Sequence, residues 1–271
     1  ISVVPERIDV MDGPQFADFI ATYHPTHVDK LGVTTGGHIF FSGPPAIYNT
    51  DWQDAIFRQG YSSNVNLSVT GGEISMPWRV SLGHTYSEGL LKNNDYERLS
   101  SSFRLSPVFL DGNLNVDFNT KLFSVTKNSV DEGGALGNAI SMDPTKPIYD
   151  ESADNRFAPY YQNTNIDGNQ LKLDGQWNPV ALLMQRSRPE SVLKVLSNLE
   201  IDYNVPGIDG LSAIVNTGLE ASSAYITEDY ANNSLATYRF DSSNNDVNTN
   251  YVFNPGKNYR EDQSQSPSAP S

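Results

Sequence analysis

The segment "LDGNLNVDFNTKL", residues 110–122, alternates apolar and polar side chains with unusual regularity. Because side chains alternate across a β-strand, the two kinds fall on opposite faces. The apolar face carries Leu114, Val116, Phe118, Thr120 and Leu122, and the polar face carries Asn113, Asn115, Asp117, Asn119 and Lys121. Such a strand needs either a protein core or lipid on its apolar side.

The same period recurs along the chain and predicts an antiparallel sheet of six strands. The other five apolar stripes lie within residues 65–69, 76–86, 99–105, 193–205 and 213–221. Connections between strands should alternate between short and long. "SEGLLKNNDYE", between the second and third strands, is expected to be one of the long ones, and residues 127–190 form the longest. Barrels of the outer membrane have this alternation, and compact soluble domains rarely carry so long a loop.

Aromatic residues are expected near both ends of the apolar band, as in the two interfacial girdles of a membrane barrel. Trp78 and Tyr203 lie toward the short-turn end of their strands, and Tyr86, Tyr96 and Tyr225 lie toward the long-loop end. A soluble β-sandwich with aromatics at its strand ends is the alternative interpretation.

Composition excludes several classes of protein. The formal net charge is −14, which argues against a nucleic-acid partner. No apolar run is long enough for a membrane-spanning helix, and "ISVVPERIDV" at the start has no signal-peptide pattern. There is no cysteine from which to read a redox compartment.

Helices are predicted in the connections. Asp12 should cap a helix in "DGPQFADFIATY", Asn49, Thr50 or Asp51 should cap one in "NTDWQDAIFRQ", and a third in "GGALGNAISMDP" should stop before Pro144. The tail "EDQSQSPSAPS" is of low complexity, and we expect it to be disordered.

Motifs for catalysis or metal binding are weak, and we predict neither an enzyme nor a cofactor. His24 and His27 flank Pro25 without an H-E-x-x-H pattern, so a solvated loop is the better interpretation, and His38 follows later. The "DGNLNVD" segment lacks the glycine and glutamate of a calcium loop, and the acidic "IYDESAD" gives no defined carboxylate pair.

Aromatic residues of the longest loop are the best candidates for ligand binding. Aromatic faces pack against sugar rings or peptide side chains, while the oxygens of neighbouring Asn and Asp accept hydrogen bonds from hydroxyl or amide groups. The alternative is that these residues form a small core for the loop itself. The candidates are Phe157, Tyr160, Tyr161 and Trp177.

Several separated segments resemble, in order, the barrel domain of SusC-like (RagA/SusC) TonB-dependent outer-membrane transporters of Bacteroidetes. They are "NTDWQDAIFRQGYSSNVNLSVTGG", "WRVSLGHTYSEGLLKNNDYERLSSSFRL", "GALGNAISMDPTKPIYD" and "NPVALLMQRSRPESVLKVLSNLEIDYNVPGIDGLSAIVNTGLE". The resemblance covers roughly residues 1–260. Family barrels have about 22 strands, so we interpret the chain as a fragment.

The resemblance implies an all-β fold of antiparallel amphipathic strands from a transmembrane β-barrel, with long, partly helical extracellular loops. Residues 65–126 and 192–225 would form barrel wall. Residues 1–64 and 127–191 would form extracellular loops, and 226–271 a loop and a disordered tail.

The resemblance also implies import of glycans or peptides across the cell outer membrane. The partners would be a SusD-like surface lipoprotein, the TonB complex through N-terminal parts, the glycan or peptide ligand, and outer-membrane lipid. A soluble secreted carbohydrate-binding β protein remains the alternative.

Overall fold

A computed structural model describes residues 3–4, 6–32, 47–152, 155, 157–167, 170–173, 175–208, 210–234, 238–240, 251–253 and 259–265. The α-helices are α1 (Gly13–Tyr23), α2 (Trp52–Ile56), α3 (Glu132–Ser141) and α4 (Pro179–Met184). The strands are β1 (Ser62–Gly71), β2 (Trp78–Glu88), β3 (Asp95–Leu105), β4 (Val108–Phe109), β5 (Leu114–Asn128), β6 (Thr164–Asp167), β7 (Gln170–Leu173), β8 (Arg186–Ser187), β9 (Pro189–Asn204), β10 (Ser212–Tyr230), β11 (Tyr238–Phe240), β12 (Tyr251–Phe253) and β13 (Tyr259–Gln265). Short 3-10 helices span Pro25–Lys30 and Leu110–Gly112.

One antiparallel sheet dominates the molecule, with the strand order β1-β2-β3-β5-β9-β10-β13. Its register carries the apolar alternation from strand to strand. Phe118 lies opposite Leu105 on one side and Leu199 on the other, and Leu199 lies opposite Thr217. Directly opposed residues share a face, so the stripes predicted separately for each strand join into one apolar surface. All six predicted strands are confirmed.

The apolar surface of the sheet is open to its surroundings. Val65 is 64% exposed, Leu82 51% and Val215 58%. Among the described residues, none of the buried hydrophobic side chains comes from the six long strands. The sheet therefore does not fold over its apolar surface as a soluble sandwich would.

The opposite face of the sheet is polar, and its charges pair across neighbouring strands. Arg104 forms an ion pair with Asp117, and the Nζ of Lys194 lies 2.5 Å from Oε1 of Glu220. Nδ2 of Asn216 donates to Oε2 of Glu200 over 3.0 Å. In a barrel this face surrounds the aqueous interior.

The hydrophobic core lies beyond one end of the sheet, in the connections, and we call this region the cap. It is built on α2, α3 and α4. The members of its core are Trp52, Ala55, Ile56, Leu91, Ala135, Ala139, Met142, Val180 and Leu183. None of the helices in the described part of the chain is long and apolar enough to cross a membrane.

Side-chain caps explain where the helices begin. Asp12 forms a capping box with Gln15 at α1, and Oδ1 of Asp51 accepts the Asp54 N–H at α2 over 2.9 Å. Asp131 caps α3 in the same way. The three predicted helices are thus confirmed, and α4 is a fourth that the sequence analysis did not predict.

Two sequence-based expectations about the strands are wrong. The connection between β2 and β3 is not long, because both strands extend until Glu88 lies opposite Asp95 and only residues 89–94 remain between them. Tyr96 cannot join an outward aromatic girdle. It lies opposite Lys127 and Ser87, which belong to the polar face, whereas Trp78 and Tyr86 share the apolar face.

The expectation of a loop and disordered tail over residues 226–271 is wrong where strands occupy this range, in the end of β10 and in β11, β12 and β13. β10 continues to Tyr230, and Tyr259–Gln265 forms β13. In β13, Asp262 lies opposite Tyr225 in an antiparallel pair. Backbone pairing with a long strand has overridden the low propensity of this polar segment.

From the expectation that the apolar face meets lipid, we predict that Leu199→Arg destabilises the protein folded in phospholipid vesicles by about 2–4 kcal/mol, the cost of an arginine near the bilayer midplane. The matched control is Asn198→Arg on the opposite face of the same strand, which should leave stability nearly unchanged. Urea titration followed by tryptophan fluorescence measures both. Equal losses in the two variants would contradict the assignment of faces.

Candidate functional site

A cavity of about 500 Å³ opens in the cap, between the long connection from β5 to β9 and the end of β10. Its volume lies in the range of small-molecule sites. Its walls combine aromatic, amide and cationic side chains. They are formed by Val130, Asp131, Phe157, Tyr160, Gln162, Trp177, Asn178, Ala181, Leu182, Gln185, Arg186, Arg188, Tyr230 and Ser234.

Three of the four predicted ligand-binding residues line this cavity: Phe157, Tyr160 and Trp177. Phe157 is 5% exposed and belongs to the buried hydrophobic residues of the cap, whereas Trp177 is 36% exposed. Burial raises the pKa of the Tyr160 phenol, so this hydroxyl stays protonated near neutral pH. Trp177 is the aromatic side chain of this group that is most available to a ligand.

Tyr161 lies elsewhere. It lines a second cavity of about 450 Å³ together with residues of α1 and the following 3-10 helix. Its hydroxyl donates to Oδ1 of Asn163 over 3.1 Å, and Nζ of Lys146 lies 5.9 Å from its ring centroid. The four predicted residues therefore do not form one surface. Ligand contact by any of them stays a prediction.

Asn178 organises the wall of the first cavity and is fully buried. Its Nδ2 donates to the carbonyls of Ile148 at 2.8 Å and Tyr161 at 3.0 Å. Its Oδ1 accepts the N–H groups of Val180 at 3.0 Å and Ala181 at 3.2 Å, which caps α4. One amide thus fixes the start of a helix and two segments of the long connection.

An ion pair closes the side of the cavity formed by β8 and β10. Nε of Arg186 lies 2.6 Å from Oε1 of Glu228, and the Tyr230 hydroxyl donates to the same oxygen over 3.1 Å. Burial works against the charged form of Glu228, but the hydrogen bond and charge of Arg186 outweigh it. The pKa of Glu228 therefore lies below its ordinary value.

Sequence reasoning missed Arg186, Arg188 and Asn178. The signal for the arginines was present in "QRSRPE", because two cations this close together are unusual in a chain with a net charge of −14. The signal for Asn178 was its place directly before Pro179, since asparagine followed by proline is a common helix start.

The other motifs contribute no site among the described residues. His24 and His27 are exposed at the 3-10 helix, with ring centroids 6.1 Å apart, and His38 lies outside the described residues. The described part of the chain contains no cluster of three metal-ligating side chains. The segment from Leu114 onward is a strand, as predicted, and not a calcium loop.

The chain is similar to TonB-dependent receptors over nearly its whole length. It is 28% identical to the TonB-dependent receptor SusC of Bacteroides thetaiotaomicron, covering 95% of this chain and 26% of that receptor. It is 25% and 26% identical to the TonB-dependent receptors P26 and P3 of Formosa agariphila, covering 86% and 92% of this chain and 24% of each receptor. The chain therefore spans about a quarter of the length of these relatives. No protein-family model matches it.

Solved structures agree on the fold. The RagAB peptide importer in its closed-closed state superposes with a TM-score of 0.54 at 16% identity, covering 80% of this chain and 23% of that chain. The open-open state gives a TM-score of 0.54 with 79% of this chain covered. The predicted fold class and the resemblance to SusC-like TonB-dependent receptors are confirmed. The relatives are receptors and transporters rather than enzymes.

We predict that Asn178→Ala destabilises the cap, because two buried carbonyl groups lose their donor and α4 loses its cap. The expected loss is about 1–3 kcal/mol, the cost of leaving buried polar groups unsatisfied. Limited proteolysis at increasing urea concentration would measure it. Gln176→Ala, at an exposed neighbour, is the control and should change stability by less than about 0.5 kcal/mol.

A second prediction concerns pH. Because the folded-state pKa of Glu228 is lowered, its contribution to stability is complete above the ordinary carboxyl pKa and is lost as the pH falls through the lowered value. The difference in stability between the wild type and Glu228→Gln should therefore be constant near neutral pH and shrink below about pH 4.5. A difference that grows on acidification would contradict the ion pair.

Proposed function

We propose that this chain contributes barrel wall and extracellular cap to a SusC-like TonB-dependent transporter of the outer membrane, which imports glycans or peptides. One observation carries the proposal: the strands share a continuous, exposed apolar face, while the described hydrophobic core lies in the cap. Lipid against that face accounts for both facts.

Backbone chemistry supports the same conclusion. Within a bilayer every N–H and C=O group needs a partner, which strands can provide only by pairing on both sides. The inner strands of the sheet meet this condition. Among the described strands, β1 pairs with β2 on one side, and β10 between Ser212 and Ala221 pairs only with β9. Further strands must therefore cover these two edges in lipid.

Within this proposal, residues 65–126 and 192–225 belong to the wall, and residues 1–64 and 127–191 to the extracellular loops. The tyrosines at the cap end, Tyr86 and Tyr225, would lie at the outer interface, and Trp78 and Tyr203 at the inner one. The polar face with Asn115, Asp117 and Asn119 would line the interior.

The proposed partners are a SusD-like lipoprotein over the cap and the TonB complex as the source of energy. Similarity to the SusC receptor supports both, because the match runs through wall and cap alike. The relatives do not point to one substrate. The names of the receptors give no substrate, and the RagAB peptide importer, at 16% identity, supports only the fold, so both glycans and peptides stay within the proposal.

The test is the behaviour of the purified chain in buffer without detergent, followed by light scattering and far-UV circular dichroism. We expect aggregation, because exposed apolar faces associate in water, and recovery of a dispersed β-rich state on addition of detergent. A monodisperse β-rich monomer without detergent would instead favour the soluble carbohydrate-binding alternative.

A further inference from the structure

Arg188 is the unusual member of the cap cavity. The structure gives its guanidinium no hydrogen bond or ion pair with a described residue, although it lines a cavity of about 500 Å³. Its backbone is fixed on both sides. Its N–H donates to Oδ1 of Asn128 over 2.8 Å, and its carbonyl accepts the Ser129 N–H over 3.3 Å. The side chain therefore starts from a well-defined position.

The acidic groups nearby are already engaged. Glu228 accepts hydrogen bonds from Arg186 and from the Tyr230 hydroxyl. Oδ1 of Asp131 accepts the Gly134 N–H over 3.0 Å as the cap of α3. The charge of Glu228 attracts Arg188. Glu228 forms no hydrogen bond or ion pair with Arg188, so it does not use the guanidinium donors. A guanidinium has five N–H donors in a planar fork, and a carboxylate is the acceptor that matches this fork best.

Two amides of the cavity wall, those of Gln162 and Asn178, are already used within the protein. Gln162 uses both ends of its amide, donating to the Gln176 carbonyl over 3.1 Å and accepting from Asn178 N–H over 3.2 Å. The Asn178 amide is fully used as well. A sugar ring needs several free partners for its hydroxyls, whereas a peptide end needs one anion site and an apolar wall.

We propose that the cavity binds the carboxylate of a peptide, with Arg188 pairing with the carboxylate and Trp177 packing against the neighbouring apolar side chain. This inference rests on the proposed function, since it names the substrate class of the cap. Arg186 keeps its partner Glu228 and shapes the wall. Phe157 and Tyr160 form the other aromatic parts of the cavity wall.

The test compares two forms of one tripeptide, acetyl-Gly-Leu-Phe with a free carboxyl end and with an amide end, binding to the whole protein in detergent. Calorimetry should give at least about tenfold tighter binding for the free acid, as expected for charge-assisted hydrogen bonds. Arg188→Gln should remove that preference. Arg188→Lys should retain part of it, because the charge stays and the fork is lost.

Arg7→Gln is the matched control, since Arg7 pairs with Asp51 and Asp54 and does not line the cavity. It should leave the preference unchanged. Equal binding of acid and amide by the wild type, a preference that survives Arg188→Gln, or no peptide binding would overturn the inference. Binding of a neutral or uronate oligosaccharide that is lost in Trp177→Ala would overturn the peptide assignment while leaving the transporter proposal standing. Failure of the transporter proposal appears separately, as a soluble monomer in detergent-free buffer.

Discussion

The pairing of backbone hydrogen bonds across long antiparallel strands is the constraint on which the rest of the molecule depends. The register joins β5 and β9 from Leu114 opposite Tyr203 to Asn128 opposite Pro189 without interruption. Because side chains alternate with period two, this register decides at once which face is apolar and which is polar. A slip by one residue would place Asp117 and Glu200 on the face that carries Leu82 and Val215.

The sheet and the cap are stabilised by different means. The sheet has paired backbone groups and ion pairs on its polar face, and the cap has a conventional hydrophobic core. Asparagine side chains join the two. Nδ2 of Asn93 donates to the Leu183 carbonyl at 2.8 Å and the Arg186 carbonyl at 3.2 Å, and its own carbonyl accepts from Nδ2 of Asn128 over 2.7 Å. Asn93 adopts a φ of 65°, a conformation that asparagine tolerates better than most residues.

The sequence predicted the strands well, because a period-two pattern such as that of Leu114–Leu122 is a local property of the chain. The helix starts at Asp12, Asp51 and near Asp131 were accessible for the same reason. The ends of the strands could not be predicted in this way, because the extension of β2 to Glu88 depends on pairing with β3 rather than on local propensity. The strand Tyr259–Gln265 was missed because only its partner β10 makes it a strand.

The candidate site could be predicted only in part. The choice of aromatic residues in the longest loop selected Phe157, Tyr160, Tyr161 and Trp177 together. Nothing in the sequence shows that Tyr161 lines a different cavity from the other three. Adjacent residues in a loop commonly point to different cavities. Arg186 lies in β8, Arg188 directly follows it, and Tyr230 lies in β10. These residues come together with the long connection only in the tertiary structure.

The lengths of β9 and β10 set the distance between the apolar band of the sheet and the cavity of the cap. From Thr217, near the middle of the apolar band, to Tyr230 at the cavity, a strand rises about 43 Å at 3.3 Å per residue, or roughly 33 Å after a tilt of about 40°. The apolar band extends only about 12 Å above its middle. In the proposed barrel the cavity would therefore stand roughly 20 Å clear of the hydrocarbon, on the side of the external medium, so the charged pair of Arg186 and Glu228 would not have to be embedded in lipid.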